Sequence, residues 1–338
     1  MFDRLGRWWS ALVALGVSLV SANGAEELRL GFFPNITHGQ ALYGKGTGEF
    51  EKSIGVKIKW TAFNAGPTAI ESLFVDAIDA TYIGPGPTVN GYIKSRGEEF
   101  VIVAGAASGG AGLVIRKDSG IKSDKDFNGK VIATPQLGNT QDIAARSWFL
   151  EKGYTFREKG GKLSIVPLTN PDQLTMFKKK QIDGAWTVEP WLSRLELEAG
   201  AQVFLEEKDI WPEGKYVTTH LVVSRAFLVN KPGLVKKLIA AHVDVTKELQ
   251  ADKAAAAKIL NKQLKEETGK ALKDETISRA LQRVEFTWDP VPSSLYKGAE
   301  GAHRIGYLRK PPKLDGIYSL NLLNQVLKEQ ELPVIAAR

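Results

Sequence analysis

From Leu28 the chain alternates. Leu28, Leu30 and Phe32 fall on one face and Arg29, Gly31 and Phe33 on the other, which predicts a first β-strand. The period then changes at P-N-I-T-H-G-Q-A-L, where Asn35 or Thr37 can cap a helix running to about Glu51. Alternation returns at Val56, Ile58, Trp60 and Ala62. Ile70, Leu73, Phe74, Ala77 and Ile78 next share one helical face behind Gly66-Pro67-Thr68. A short strand from Ala80 to Ile83 runs into G-P-G-P-T and a helix through Val89 to Lys94. Val101 to Val103 predicts a buried strand leading to A-S-G-G-A-G, and Leu113 to Ile115 another. Strand, loop and helix repeated at short intervals predict a wound α/β sheet.

The stretch from Lys117 to Lys130 is polar and turn-rich and reads as a crossing into a second unit. That unit repeats the grammar: strands at Val131–Ala133, Leu163–Leu168, Ala185–Val188 and Gln202–Leu205, with helices at Gln141–Lys152, Pro171–Lys180 and Trp191–Ala199 between them. Near Lys215 the chain crosses back. Beyond Lys231 it is mostly helical, with Leu234, Leu238, Ala241, Val245 and Leu249 in one stripe and further helices at Ala254–Leu264, Glu275–Val284 and Leu320–Leu327 packing on the first unit. The expected fold is α/β with two lobes, two wound sheets joined by two crossings. Residues 26–117 and 216–338 form lobe 1 and residues 118–215 form lobe 2.

Composition narrows the class. Of 338 residues, 43% are hydrophobic and 25% charged, ordinary for a globular chain. The first 25 residues read differently: Arg4 and Arg7, an apolar run from Trp8 to Val20, then Ser21-Ala22-Asn23-Gly24-Ala25. This is the layout of a cleaved signal peptide, too short to span a bilayer comfortably, and it predicts export to the periplasm. There is no cysteine, which excludes disulfides and thiol chemistry. The formal charge of +7 is spread along the chain without an arginine-rich run, so it suits a small anion better than nucleic acid. The four histidines lack metal-like spacing, and neither a metal nor a cofactor is expected. No nucleophile elbow, P-loop or paired acid/base set marks an enzyme.

The candidate chemistry sits at strand ends. V-I-A-T-P-Q-L-G-N-T-Q-D is a strand, a loop and a helix start, with Asn139 or Thr140 as N-cap and Asp142 in the first turn. Unpaired amides and the helix dipole make such a start an anion site. P-N-I-T-H, N-A-G-P, G-P-G-P, S-G-G and V-E-P-W stand at the equivalent ends of other strands, where open α/β sheets bind ligands. Their glycines admit close approach, and their hydroxyls and amides donate without placing a charge.

F-F-P-N-I-T-H, A-G-P-T-A-I-E-S-L-F, D-A-T-Y-I-G-P-G-P, A-G-A-A-S-G-G, I-A-T-P-Q-L-G-N-T-Q-D and I-D-G-A-W-T-V-E-P-W together resemble the periplasmic solute-binding proteins of ABC importers of the aliphatic sulfonate, taurine and nitrate type. The resemblance spans nearly the whole chain after the leader. It implies a monomeric two-lobe protein of the type II binding-protein fold that closes over a small anion or zwitterion and delivers it to an inner-membrane permease. It leaves the ligand open among sulfonates, nitrate, bicarbonate and a thiamine-pyrimidine precursor. A pyrimidine-forming enzyme of the same fold would carry a cysteine-rich motif, which this chain lacks. Carried over by motif, the first-lobe contacts are Asn35, Thr37, His38, Asn64, Gly66, Pro67, Gly84 and Ser108. Those of the second lobe are Gly138, Asn139, Thr140, Gln141, Trp186, Glu189 and Trp191.

Several of these have a plain structural alternative. Gly138 to Gln141 can be a turn and cap alone. His38 is either a neutral donor to an oxyanion or a solvent-facing residue at a helix start. His220 reads as a core or hinge histidine, and His242 and His303 as structural. Glu189 either recognises an amine on a zwitterion or is an acidic first-turn residue. Trp186 and Trp191 either clamp a ligand body or fill the core.

Overall fold

The computed structural model describes residues 26–336, so the leader expected over residues 1–25 lies outside the described residues. In chain order the strands are β1 (Glu27–Phe32), β2 (Lys57–Ala62), β3 (Ala80–Ile83), β4 (Phe100–Gly109), β5 (Ala111–Ile115), β6 (Val131–Thr134), β7 (Ser164–Pro167), β8 (Gly184–Val188), β9 (Gln202–Glu206), β10 (Val217–Ser224) and β11 (Val284–Phe286). They form two sheets, ordered β11-β4-β10-β3-β1-β2 and β7-β6-β8-β5-β9. In the first, β2, β1 and β3 run parallel and β10 lies antiparallel between β3 and β4. In the second, β7, β6 and β8 are parallel and β5 is antiparallel to β8 and β9. Each lobe therefore takes in one antiparallel strand that arrives from the other.

The sheets form where the apolar pattern put them, because a strand covered by helices on both faces must be apolar throughout. All of β3, β4, β5, β8 and β10 is buried. The expected C-terminal stripe of Leu234, Leu238, Ala241, Val245 and Leu249 lies in one core with Leu28, Leu30 and Phe32 of β1. Two expectations shift at glycines. The helix after β1 is a short turn, Ile36–His38, then Gly39–Thr47, and it breaks at Gly48 (φ 72°) before a second piece, Glu49–Ile54.

The larger change concerns the crossing. Leu113 to Ile115, assigned from sequence to the first unit, belongs to β5 and pairs in the second sheet. The chain leaves the first sheet not at Lys117 to Lys130 but at Gly109-Gly110, both left-handed (φ 78° and 74°). At Gly109 an added Cβ would meet the Arg283 carbonyl oxygen at 2.6 Å, so the turn needs glycine. The A-S-G-G stretch is thus the end of β4 and a crossing, not a ligand loop. Helix Pro292–Arg304, not anticipated from sequence, belongs to the first lobe and touches helices Pro85–Lys94 and Thr140–Glu151, one from each lobe.

Candidate functional site

The parallel strands of both lobes point their carboxyl ends at one small space. Five helix starts follow those strands and reach it: the Ile36–His38 turn after β1, Gly66–Phe74 after β2, Pro85–Lys94 after β3, Thr140–Glu151 after β6 and Asn170–Lys178 after β7. Asn35, Thr37, His38, Asn64, Gly66, Gly84, Asn139, Thr140 and Gln141 line a cavity of about 30 Å³, measured as the volume open to the centre of a water molecule. Phe33, Ala65, Pro87, Pro135, Asn170, Val188 and Thr218 complete it. Among the described residues, no lysine, arginine, aspartate or glutamate lines the wall. Neutral side-chain donors and the positive dipole ends of helices are therefore what it chiefly offers an anion, since the Gly86 and Ile36 amides are committed to Thr140 and Glu189.

The side chains around it are fixed by their neighbours. Asn139 caps its helix, its Oδ1 accepting the Asp142 amide at 2.8 Å; its Nδ2 then donates to Gln141 Oε1 at 3.1 Å, which leaves the Gln141 Nε2 amide as the outward donor. Asn35 Oδ1 accepts the Trp191 indole N–H at 3.1 Å, leaving Nδ2 as its donor. Asn170 Oδ1 accepts from the Thr187 hydroxyl at 3.1 Å, with the same consequence. His38 Nδ1 accepts the Phe33 amide at 3.2 Å, so the ring proton sits on Nε2. Burial lowers the His38 pKa to about 3, and the imidazole stays neutral. Thr218 is occupied, donating to the carbonyls of Ala107 and Gly109.

Behind the second-lobe loop, buried Asp142 accepts from Thr134 Oγ1 and the Gly138 amide, both at 2.9 Å, and pairs with Arg146 Nε at 3.1 Å. Arg146 also reaches Glu158. These contacts hold the Pro135–Asn139 turn in shape; Arg146 is a strut for the loop.

The lobes meet over the cavity. Thr140 Oγ1 of the second lobe accepts the Gly86 amide of the first at 3.2 Å. Gly84 lies against the same hydroxyl, where an added Cβ would overlap Thr140 Oγ1. Trp191 to Asn35 is a second bridge, and the Ile36 amide to the Glu189 carbonyl, at 3.0 Å, a third.

Six expected contacts lie elsewhere. Trp186 is fully buried in the aromatic core of lobe 2, with its ring centroid 6.0 Å from that of Trp148 and its indole donating to Glu207 at 2.8 Å. Glu189 does not face the cavity. Its carboxylate is buried, accepts from Ser193 Oγ at 2.8 Å and pairs with Arg283 at 3.1 Å. Burial raises its pKa to about 7, with Arg283 pulling the other way. Trp191 packs beneath the Arg194 guanidinium, 4.4 Å from its ring, and acts on the cavity only by orienting Asn35. Ser108 Oγ receives the Tyr216 amide at 3.4 Å. Gly138 (φ 74°) leaves room for Tyr307 of the opposite lobe, and Pro67 sits in its helix's first turn away from the wall. His220 and His242 are buried, as expected, and burial lowers both to about 4.

Asn170 could have been found. It follows a strand as L-T-N-P, a helix start of the same kind as the others. Thr218 is the second residue of β10 and carries no local signal.

Residues 21–262 match the NMT1-like family. A Bacillus subtilis (strain 168) protein named "Putative aliphatic sulfonates-binding protein" is 25% identical over 291 residues, 78% of this chain and 84% of the relative. The taurine-binding periplasmic protein of Escherichia coli (strain K12) is 23% identical over 198 residues, 58% of each chain. Among solved structures, the alkanesulfonate-binding protein SsuA from Xanthomonas axonopodis pv. citri, bound to MOPS, superimposes with a TM-score of 0.72 at 20% identity, covering 87% of this chain and 98% of that one. The periplasmic nitrate-binding protein NrtA from Synechocystis PCC 6803 gives 0.74 at 15%, covering 92% and 90%. These likenesses establish the two-lobe fold.

Proposed function

The chain belongs to the NMT1-like family, and from that premise we propose that it is the solute-binding component of an ABC importer, working in the periplasm and capturing a compact oxyanion between its lobes. The observation that carries this reading is the convergence of five helix starts on a cavity with no charged side chain in its wall. An anion there is held chiefly by neutral side-chain donors and by helix dipoles, so no unpaired cation is buried when the site is free. The relatives named for aliphatic sulfonates and taurine support the same class.

Size sharpens the ligand. One water needs about 10–15 Å³ by this measure, so 30 Å³ suits a planar or tetrahedral oxyanion group such as nitrate or a sulfonate head. The amine partner expected in Glu189 is committed to Arg283, which removes the support for preferring a zwitterion over a simple alkanesulfonate. Because the wall comes from both lobes, a ligand gains its full contacts only on closure, and binding shifts the population toward the closed state. The closed surface would then dock on an inner-membrane permease.

Titration calorimetry with ethanesulfonate, taurine, nitrate and a neutral aminopyrimidine tests the assignment. At least one oxyanion should bind, with taurine no tighter than ethanesulfonate. Binding of the neutral heterocycle alone would overturn it.

A further inference from the structure

A buried carboxylate stands directly behind the wall of the small cavity. Asp142 is 1% exposed and follows the wall residues Asn139, Thr140 and Gln141 in the first turn of helix Thr140–Glu151. Its oxygens accept from Thr134 Oγ1 and from the Gly138 amide. Thr134 and Gly138 are in turn the chain neighbours of the wall residues Pro135 and Asn139. The carboxylate is thus tied to the back of the anion loop.

Left bare, it would oppose an anion. The two charges stand on the order of 7 Å apart, inside the Debye length of about 10 Å, and at an effective dielectric constant of about 20–40 their repulsion weakens binding roughly 7- to 50-fold. Arg146 offsets it. Its Nε lies 3.1 and 3.2 Å from the two Asp142 oxygens, and among the described residues no other lysine or arginine pairs with that carboxylate. Contacts away from the cavity place the guanidinium: it lies over the Phe156 ring, 5.2 Å from the centroid, and reaches Glu158. Glu158 is half exposed, so solvent screens its charge far more than that of Asp142.

We propose that Arg146 is a specificity-determining residue of the oxyanion cavity, although it does not line it. Beyond bracing the turn, its charge cancels that of Asp142, and so lets a wall without cations prefer an anion over a neutral ligand of the same shape. The inference rests on the oxyanion reading of the cavity.

The readout is the ratio of methanesulfonate to methanesulfonamide affinity, from titration calorimetry on the full mature protein. A turn that only loosens weakens both ligands and leaves the ratio alone, whereas a change of charge moves it. Arg146→Met keeps an unbranched stem against Phe156 and removes the charge, and it should lower the ratio roughly 7- to 50-fold. Asp142→Asn keeps an acceptor for the Gly138 amide and a donor for Thr134 Oγ1 while leaving Arg146 uncompensated, and it should raise the ratio at least about threefold. The double variant should return it toward the wild-type value. Urea unfolding checks each variant, and the rise in Asp142→Asn stands by itself should Arg146→Met fail to fold. A wild-type ratio near one overturns the oxyanion reading and this inference with it. A wild-type preference for the sulfonate that neither single variant changes, or that falls in Asp142→Asn, overturns the role of Arg146 alone.

Discussion

Gly84→Ala should separate closure from folding. Gly84 has φ −75° and ψ 159°, a conformation open to any residue, so the substitution adds no backbone strain. Within its own lobe the new Cβ meets the Thr218 carbonyl oxygen at 3.3 Å, tight but tolerable, and replacing the cap glycine by alanine costs the fold no more than about 1 kcal/mol. Across the cleft it overlaps Thr140 Oγ1. Ordinary contact distances are about 3.5–4 Å, so relief takes a lobe displacement on the order of 1 Å. That movement breaks the Gly86–Thr140 hydrogen bond, about 1 kcal/mol, and loosens the cavity wall around any ligand. A loss of roughly 1.5–3 kcal/mol in binding, about 10- to 150-fold, should follow. Thr140→Ala removes the obstructing oxygen, leaving the Cβ atoms 3.3 Å apart. The double variant should therefore bind more tightly than Gly84→Ala alone, a favourable coupling of at least about 1 kcal/mol. Calorimetry with methanesulfonate gives the four affinities, and urea unfolding shows that the fold is retained. Additive losses, or wild-type affinity in Gly84→Ala, would refute the account of closure.

Two further predictions concern buried charge. Arg283 pairs with Glu189, Glu196 and Glu206 of the opposite lobe. Arg283→Met should cost about 2–3 kcal/mol of stability at pH 8, the lower end because the guanidinium is partly screened by solvent. The folded Glu189 holds its proton up to about pH 7 against 4.5 for the ordinary group, so its contribution favours the fold at low pH and fades as pH rises through that window. The loss should shrink by pH 5, and Glu189→Gln should recover part of it at pH 8; denaturant midpoints at the two pH values decide. His220 is held neutral down to about pH 4 against 6.5 ordinarily. The unfolded chain thus takes up a proton that the folded one refuses as pH falls from 6.5 to 4, costing about 1.4 kcal/mol per pH unit. His220→Gln should reduce the acid slope of stability by about that amount, and an unchanged slope would contradict the assignment.

Much of this was legible in the chain because strand–loop–helix order with glycine-rich strand ends fixes both the sheet and the helix starts. Nine of the fifteen expected contacts do line the cavity. What failed did so for physical reasons. Ala111–Ile115 is an apolar run that would suit either sheet, and only pairing across strands decides. Trp186 and Glu189 have side chains that serve a cleft or a core equally well, and their partners, Glu207 and Arg283, lie 21 and 94 residues away. Helix Pro292–Arg304 reads P-S-S-L-Y-K-G-A-E-G-A-H-R, with too few apolar positions to announce itself, yet it buries Leu295, Ala299 and Ala302 against the cleft side.

Neutral donors and helix starts, without a cation in the cavity wall, select an anion here. Methanesulfonate and methanesulfonamide share a shape and differ in charge, so their affinities measure it directly. Five helix starts contributing about 0.5 kcal/mol each amount to on the order of 2–3 kcal/mol, and the sulfonate should bind roughly 30- to 150-fold tighter than the amide. Equal affinities, or tighter binding of the sulfonamide, would contradict it.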